Sequence, residues 1–136
     1  MRIAIIGAGR IGGNVARQAV RGGHEVRLAF SRDPAKLDEL GDGAAATEPA
    51  DAVAWADVVV LSVGWDVVGE ALAATGPLDG KIVVDTTNQF GSGAMPADGQ
   101  TAAAFNVELM PGARLHQDLQ HADLRVPGRD GRPLGR

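Results

Sequence analysis

Residues 2–13 read Arg-Ile-Ala-Ile-Ile-Gly-Ala-Gly-Arg-Ile-Gly-Gly, an apolar run that passes directly into Gly7, Gly9 and Gly12. The spacing is that of the G-x-G-x-x-G fingerprint, and it stands where the fingerprint requires, after a strand and at the opening of a helix. In such a turn the first glycine makes the tight bend, the second lets the backbone approach a pyrophosphate, and the third lets the helix pack close to the sheet. The helix N-terminus then meets the phosphates with N–H groups that have no intrahelical acceptor and with a partial positive charge. Glycine is abundant here, 19 of 136 residues, so the spacing alone also admits a plain strand-to-helix turn. The coincidence of strand, turn and helix favours a dinucleotide site.

Beyond the turn, Ile11, Val15 and Ala19 fall four apart with Ala16 and Val20 beside them, which predicts one apolar stripe on a helix. Gly22-Gly23 ends that helix, and Glu25 to Phe30 alternates into a second strand. The residues just past this strand bear on the cofactor. An NAD site carries Asp or Glu about 20 residues beyond the glycines, to bind the ribose 2′-hydroxyl. Here Ser31-Arg32 holds that place. A carboxylate would repel a 2′-phosphate, whereas a hydroxyl and a guanidinium bind it, and Lys36 lies one helical turn further on. NADP is favoured over NAD. The plainer reading makes Ser31 a lead into a helix and Arg32 and Lys36 solvated surface. Asp33-Pro34 reads as N-cap and first helical residue.

Further along, the pattern predicts a short helix from Pro34 to Leu40, a weak third strand over Gly43 to Thr47 and a helix from Pro49 to Trp55. Asp57 to Ser62 is a continuous apolar run, as befits a strand covered on both faces. Val67, Val68, Ala71 and Leu72 build a helix that Gly76-Pro77 terminates, and Lys81 to Asp85 is a fifth strand. Gly91 to Pro96 reads as a loop, Ala97 to Phe105 as helix, Met110 to Gly112 as a turn, and Ala113-Arg114-Leu115 as the start of a sixth strand. Strand and helix alternate, so the fold class is α/β, a Rossmann-type doubly wound parallel sheet in one domain over residues 1–115. Residues 116–136 lack either periodicity, and their Arg, Gly and Pro content predicts an irregular, disordered tail.

The strand ends carry Ser62-Val63-Gly64-Trp65 and Thr86-Thr87-Asn88-Gln89-Phe90 to the rim of the glycine turn, where open parallel sheets bind ligands. Trp65 either flanks a nicotinamide or flat substrate or packs under the next helix. Asn88 either holds a carboxamide or substrate carbonyl or only makes a turn. Asp85 reads as a strand-end cap rather than an acid.

A chain of 136 residues, 45% hydrophobic and 22% charged, buries one core. A net charge of -4 and 4% aromatic residues argue against a nucleic-acid partner. The absence of cysteine removes disulfides, thiolate nucleophiles and thiolate metal sites. His24 precedes a strand, and His116 and His121 do not share a helical face, so no metal site is assigned. No signal-like segment opens the chain and no apolar run approaches a membrane span, which predicts a soluble, cytoplasmic protein.

From Met1 to about Leu115 the sequence resembles the NADPH-dependent reductases of the deazaflavin coenzyme F-420. The matching residues are the glycine turn, Ser31-Arg32 with Lys36, Val60-Leu61-Ser62-Val63-Gly64-Trp65, and Val84-Asp85-Thr86-Thr87-Asn88; Gly64 stands where the family often carries proline. The resemblance implies hydride transfer between NADPH and the deazaflavin, with Gly7, Gly9, Arg10, Ile11 and Gly12 at the pyrophosphate. It implies Ser31, Arg32 and Lys36 at the 2′-phosphate, and Ser62, Val63, Trp65 and Asn88 near the nicotinamide. It also implies a homodimer. Direct hydride passage needs proximity and a dry slot rather than a nucleophile, which agrees with the lack of a convincing acid or base. No catalytic side chain is assigned.

Such relatives continue past the sixth strand with a Lys-x-Phe-Asn-Thr type segment. The tail does not match it as it stands. Back-translated with permitted codons and read one base later, His116 to Arg125 becomes Thr-Lys-Thr-Phe-Asn-Thr-Leu-Thr-Ser, which predicts a frameshift near Leu115. Two other classes of function remain open from the sequence. One keeps NADP but reduces an imine, as pyrroline-carboxylate reductases do, or a flavin; the other is a module that holds the dinucleotide without turnover.

Overall fold

The computed structural model describes residues 1–30, 44–87 and 100–117. Six strands form one parallel sheet: β1 (Arg2–Ile6), β2 (Glu25–Ala29), β3 (Ala44–Ala46), β4 (Val58–Leu61), β5 (Ile82–Asp85) and β6 (Arg114–Gln117). Their order is β3-β2-β1-β4-β5-β6, so the chain winds outward from β1 in one direction and returns to lay β4 on its other side. Between them run α1 (Arg10–Arg21), α2 (Pro49–Trp55), a short 3-10 turn (Trp65–Val67), α3 (Val68–Thr75) and α4 (Ala102–Leu109). This is the doubly wound Rossmann arrangement expected from the alternation of elements.

Side-chain parity along the strands divides the core into two layers. Ala4, Ile6, Ala29, Val59, Leu61 and Val83 face one way and pack with Ala52 and Val53 of α2, Val68 and Ala71 of α3 and Met110. Ile5, Val26, Leu28 and Val60 face the other way, against Ala16 and Ala19 of α1. β1 and β4 are apolar at nearly every position because both of their faces are covered. Ile5, Ile6, Leu28 and Leu61 are almost wholly buried, and each contributes about 1.5–3 kcal/mol by leaving water. Ile11 departs from the expected stripe: at 39% exposed it sits at the open mouth of α1, while Ala16 and Ala19 carry the packing.

The boundaries differ from the sequence reading mainly near the C-terminus. α4 starts at Ala102, since the Thr101 side chain accepts a hydrogen bond from Ala104 N–H at 3.1 Å and caps it there. β6 runs two residues past Leu115, with His116 opposite Val84 and Gln117 opposite Asp85. Ladder hydrogen bonds use the backbone alone, so pairing continues where the apolar pattern has stopped. The expected helix from Pro34, the loop over Gly91 to Pro96 and the tail beyond Gln117 lie outside the described residues.

At the amino ends of the strands, the Arg2 guanidinium meets Asp57 at 2.9 Å and the Arg2 backbone N–H donates to the same carboxylate at 2.8 Å. These hydrogen bonds lower the Asp57 carboxyl from 3.8 to about 2. A carboxyl depressed by folding stabilises the native state above its unfolded value, and that contribution is lost as pH falls towards the folded one. Asp57→Asn is therefore expected to flatten the acid limb of the stability curve between pH 3.8 and about 2, read by urea unfolding across a pH series. An unchanged acid limb would show that the pair has no part in acid stability. Nearby, Lys81 Nζ donates to the Ala56 carbonyl at 2.9 Å, placing a cation at the C-terminal end of α2.

Candidate functional site at the carboxyl rim

The glycine turn sits where the order of the sheet reverses, between β1 and β4, at the carboxyl ends of the strands. Gly7 has φ 108, a conformation reserved for glycine, and a Cβ there would run into the Ser62 carbonyl group and stand 3.0 Å from Val63 Cγ1. At Gly12 a Cβ would strike the Gly7 carbonyl oxygen and lie 3.3 Å from Ile5 Cγ2, so this glycine is what lets α1 close on the strand. Around Gly9 none of the described residues stands within 4 Å of a Cβ position. The first and third glycines are thus enforced by contacts within the protein, whereas the second borders space open among the described residues.

That open space lies over the start of α1. Gly9 is the N-cap residue and supplies no side-chain hydrogen bond, and the first turn holds no acidic residue. The leading N–H groups of a helix have no partner within it. An uncapped N-terminus free of carboxylates, beneath an exposed Arg10, suits an anion such as a pyrophosphate. These features fit the group that the fingerprint implies.

Neighbouring strand ends are tied across the rim. Gly7 N–H donates to the Ala29 carbonyl at 2.8 Å, Ser62 N–H to Ile6 at 2.8 Å, and Thr86 N–H to Leu61 at 3.0 Å. The Thr86 hydroxyl donates to the same Leu61 carbonyl at 3.0 Å. Four strand ends therefore hold fixed positions around the turn. Just past β2, Phe30 takes φ 59, the one non-glycine residue in the left-handed region among the described residues. That conformation costs on the order of 1–2 kcal/mol for an L-residue.

Ser62 and Val63 leave β4 half-buried at the rim, beside Gly7. Trp65 is only 5% exposed, and its ring lies 5.6 Å from that of Phe105 on α4, tilted by 38°. The indole thus has a packing partner on the following helix layer, in addition to its place on the loop after β4. Ser31, Arg32, Lys36 and Asn88 lie outside the described residues, as does the Asp33-Pro34 cap.

Asp85 acts as a strand-end cap, as its position in the sequence suggests, but within a larger network. Its carboxylate accepts from Thr87 N–H at 2.8 Å and from Asn106 Nδ2 at 2.7 Å, and Asn106 Nδ2 also donates to Thr87 Oγ1 at 2.9 Å. Asp85, Thr87 and Asn106 are all at least 98% buried. Sequence reasoning does not single out Asn106. The available signal is an asparagine in the middle of Ala-Ala-Ala-Phe-Asn-Val, where a helix interior disfavours it.

Comparison with known proteins points the same way. A family described as NADP oxidoreductase, coenzyme F420-dependent, matches residues 2–89. A search of curated proteins returned no match. Among solved structures, a hypothetical protein from Sinorhizobium meliloti is 31% identical with a TM-score of 0.74, the match covering 86% of this chain and 60% of that one. A protein from Arthrobacter sp. FB24, described as an F420-dependent NADP-reductase, is 30% identical at a TM-score of 0.74, covering 95% of this chain and 68% of that one. A reductive aminase from Aspergillus terreus is 31% identical at a TM-score of 0.62, covering 85% and 40% respectively. The chain thus spans about 60% of the length of the Sinorhizobium protein.

Proposed function

Since the chain belongs to the family of coenzyme F420-dependent NADP oxidoreductases, we propose that it binds NADP(H) across the carboxyl rim and serves hydride transfer between NADPH and a deazaflavin. The observation that carries this reading is the open, uncapped N-terminus of α1 over Gly9, with no acidic residue in its first turn. The backbone of Gly7 to Gly12, with Arg10 and Ile11, receives the pyrophosphate. Ser31, Arg32 and Lys36 receive the 2′-phosphate, and Ser62, Val63, Trp65 and Asn88 border the nicotinamide. A bound dihydronicotinamide would supply the hydride that the acceptor takes up. The protein's part is to hold the dinucleotide flat along the rim and to keep water from the transfer, with no side chain required as nucleophile. Family membership supports the same assignment, and a homodimeric, cytoplasmic enzyme is the setting proposed with it.

A second reading keeps NADPH and changes the acceptor to an imine. It is favoured by the 31% identity to the Aspergillus terreus reductive aminase, whose structure was solved with a reduced nicotinamide dinucleotide, cyclohexanone and allyl amine. A screen of acceptors under NADPH oxidation separates the two: turnover of a deazaflavin but not of cyclic imines supports the first, and the reverse supports the second. Binding of NADPH without turnover of either, in the present chain and in one with the alternative frame restored, would support a non-catalytic module. The frame change near Leu115 is part of this proposal, and sequencing the coding DNA tests it. Codons that cannot yield Thr-Lys-Thr-Phe-Asn-Thr one base on would remove it.

A further inference from the structure

Asn106 sits in the interior of α4 at 0% exposure, in a stretch that is otherwise alanine, phenylalanine and valine. Its two amide hydrogens are directed at Asp85 Oδ2 and Thr87 Oγ1, at 2.7 and 2.9 Å. Its carbonyl oxygen Oδ1 is buried with no hydrogen-bond partner among the described residues. The orientation of the amide follows from chemistry: turning it over would set the carbonyl oxygen against a carboxylate oxygen. The amide's own acceptor goes unmatched, while its two donors serve a buried carboxylate and a buried hydroxyl that would lose a partner with an apolar side chain here. What this amide provides is a pair of donors aimed at one short segment.

That segment is Asp85-Thr86-Thr87, where β5 reaches the rim. Thr86 is held to Leu61 from the β4 side, and Thr87 is held to Asp85 through its own N–H. Asn106 ties the same residues to α4, and its neighbour Phe105 lies against Trp65 of the loop after β4. One helix turn thereby grips both loops that succeed the central strands on this side of the glycine turn.

We propose that Asn106 is a positioning residue, holding the Asp85–Thr87 turn in the shape that receives the nicotinamide end of the dinucleotide. This rests on the NADP(H) reading and deepens it. Asn106 touches the turn, and the turn, itself almost wholly buried, fixes the end of β5 at the rim, so removal of Asn106 should affect only that part of the ligand that reaches the β5 end. The pyrophosphate, received by the glycine turn on the other side of Ser62, and the 2′-phosphate, assigned to Ser31, Arg32 and Lys36, should be indifferent.

The test compares NADPH with 2′-phospho-ADP-ribose, which has every part of the cofactor except the nicotinamide ring, on the full chain and on Asn106→Leu. The expected result is an NADPH affinity reduced by about tenfold, the scale of a lost buried hydrogen bond, with the fragment bound within about twofold of the parent. The emission shift of bound dihydronicotinamide should diminish in the variant. Thr87→Val, which removes an acceptor from the same network while keeping shape, carries the same test if Asn106→Leu does not fold. Equal binding of NADPH by variant and parent overturns the inference while leaving the NADP(H) reading intact, and so does an equal weakening of both ligands. Failure of both variants to fold marks the network as structural and likewise overturns it. A parent chain that binds neither ligand overturns the NADP(H) reading itself.

Discussion

Gly7→Ala is expected to unfold or severely weaken the protein, while Gly9→Ala, two positions along, folds normally and loses its dinucleotide. At Gly7 two costs combine. The backbone sits at φ 108, and the new Cβ would fall on the Ser62 carbonyl, with the carbonyl carbon at 2.7 Å. Ser62 cannot move aside, since its N–H is bonded to Ile6 at 2.8 Å within the central ladder. Strain of about 1–3 kcal/mol and overpacking of similar size sum to about 2–6 kcal/mol, a large part of a typical domain's stability. At Gly9 the backbone is extended and the Cβ meets none of the described residues within 4 Å. Stability should change by less than about 1 kcal/mol, as for other small N-cap exchanges. The methyl group would instead occupy the approach to the α1 N-terminus, and NADPH affinity should fall about tenfold or more. Thermal melts and NADPH titrations on both variants check the contrast. A Gly9→Ala protein that binds NADPH as its parent does would move the ligand away from this helix end.

The second large effect concerns which dinucleotide is bound. The parent protein should prefer NADPH to NADH, and Arg32→Ala should erase most of that preference while leaving NADH affinity nearly unchanged. A guanidinium paired with a phosphate contributes about 1.5–3 kcal/mol, so the loss is about ten- to a hundredfold in NADPH affinity. Raising the ionic strength should narrow the preference as well if a guanidinium–phosphate pair creates it, because salt screens such a pair. Equal affinities for the two dinucleotides in the parent would defeat the assignment of Ser31, Arg32 and Lys36 to the 2′-phosphate.

The sheet is legible in the sequence because its information is local. Val58-Val59-Val60-Leu61 announces a strand buried on both faces, and Pro49 to Trp55 forms a helix with the bounds its proline and flanking residues suggest. Gly7 and Gly12 can be assigned from their spacing together with the strand before and the helix after them, although the contact that enforces Gly7, the Ser62 carbonyl, comes from the adjacent strand. Asn106 cannot be assigned in this way: its partners lie 19 and 21 residues earlier, and only the return of α4 across the β5 end brings them together. Ile11 shows the converse case. Its spacing fits the α1 stripe, but the helix has barely begun there and has no sheet beneath it to cover. The late start of α4 reflects the Thr101 cap, a one-residue signal easily overridden by the alanine-rich stretch around it.

Phe30 stands under backbone strain just past β2. A phenylalanine held at φ 59 stores backbone strain that glycine or asparagine would relieve, and it stands directly before Ser31. Attempts to convert coenzyme preference by exchanging Ser31 and Arg32 alone would leave that strain in place one residue upstream. Redesign at these positions therefore has to count Phe30 as well, since relieving or keeping its left-handed backbone is a choice of its own.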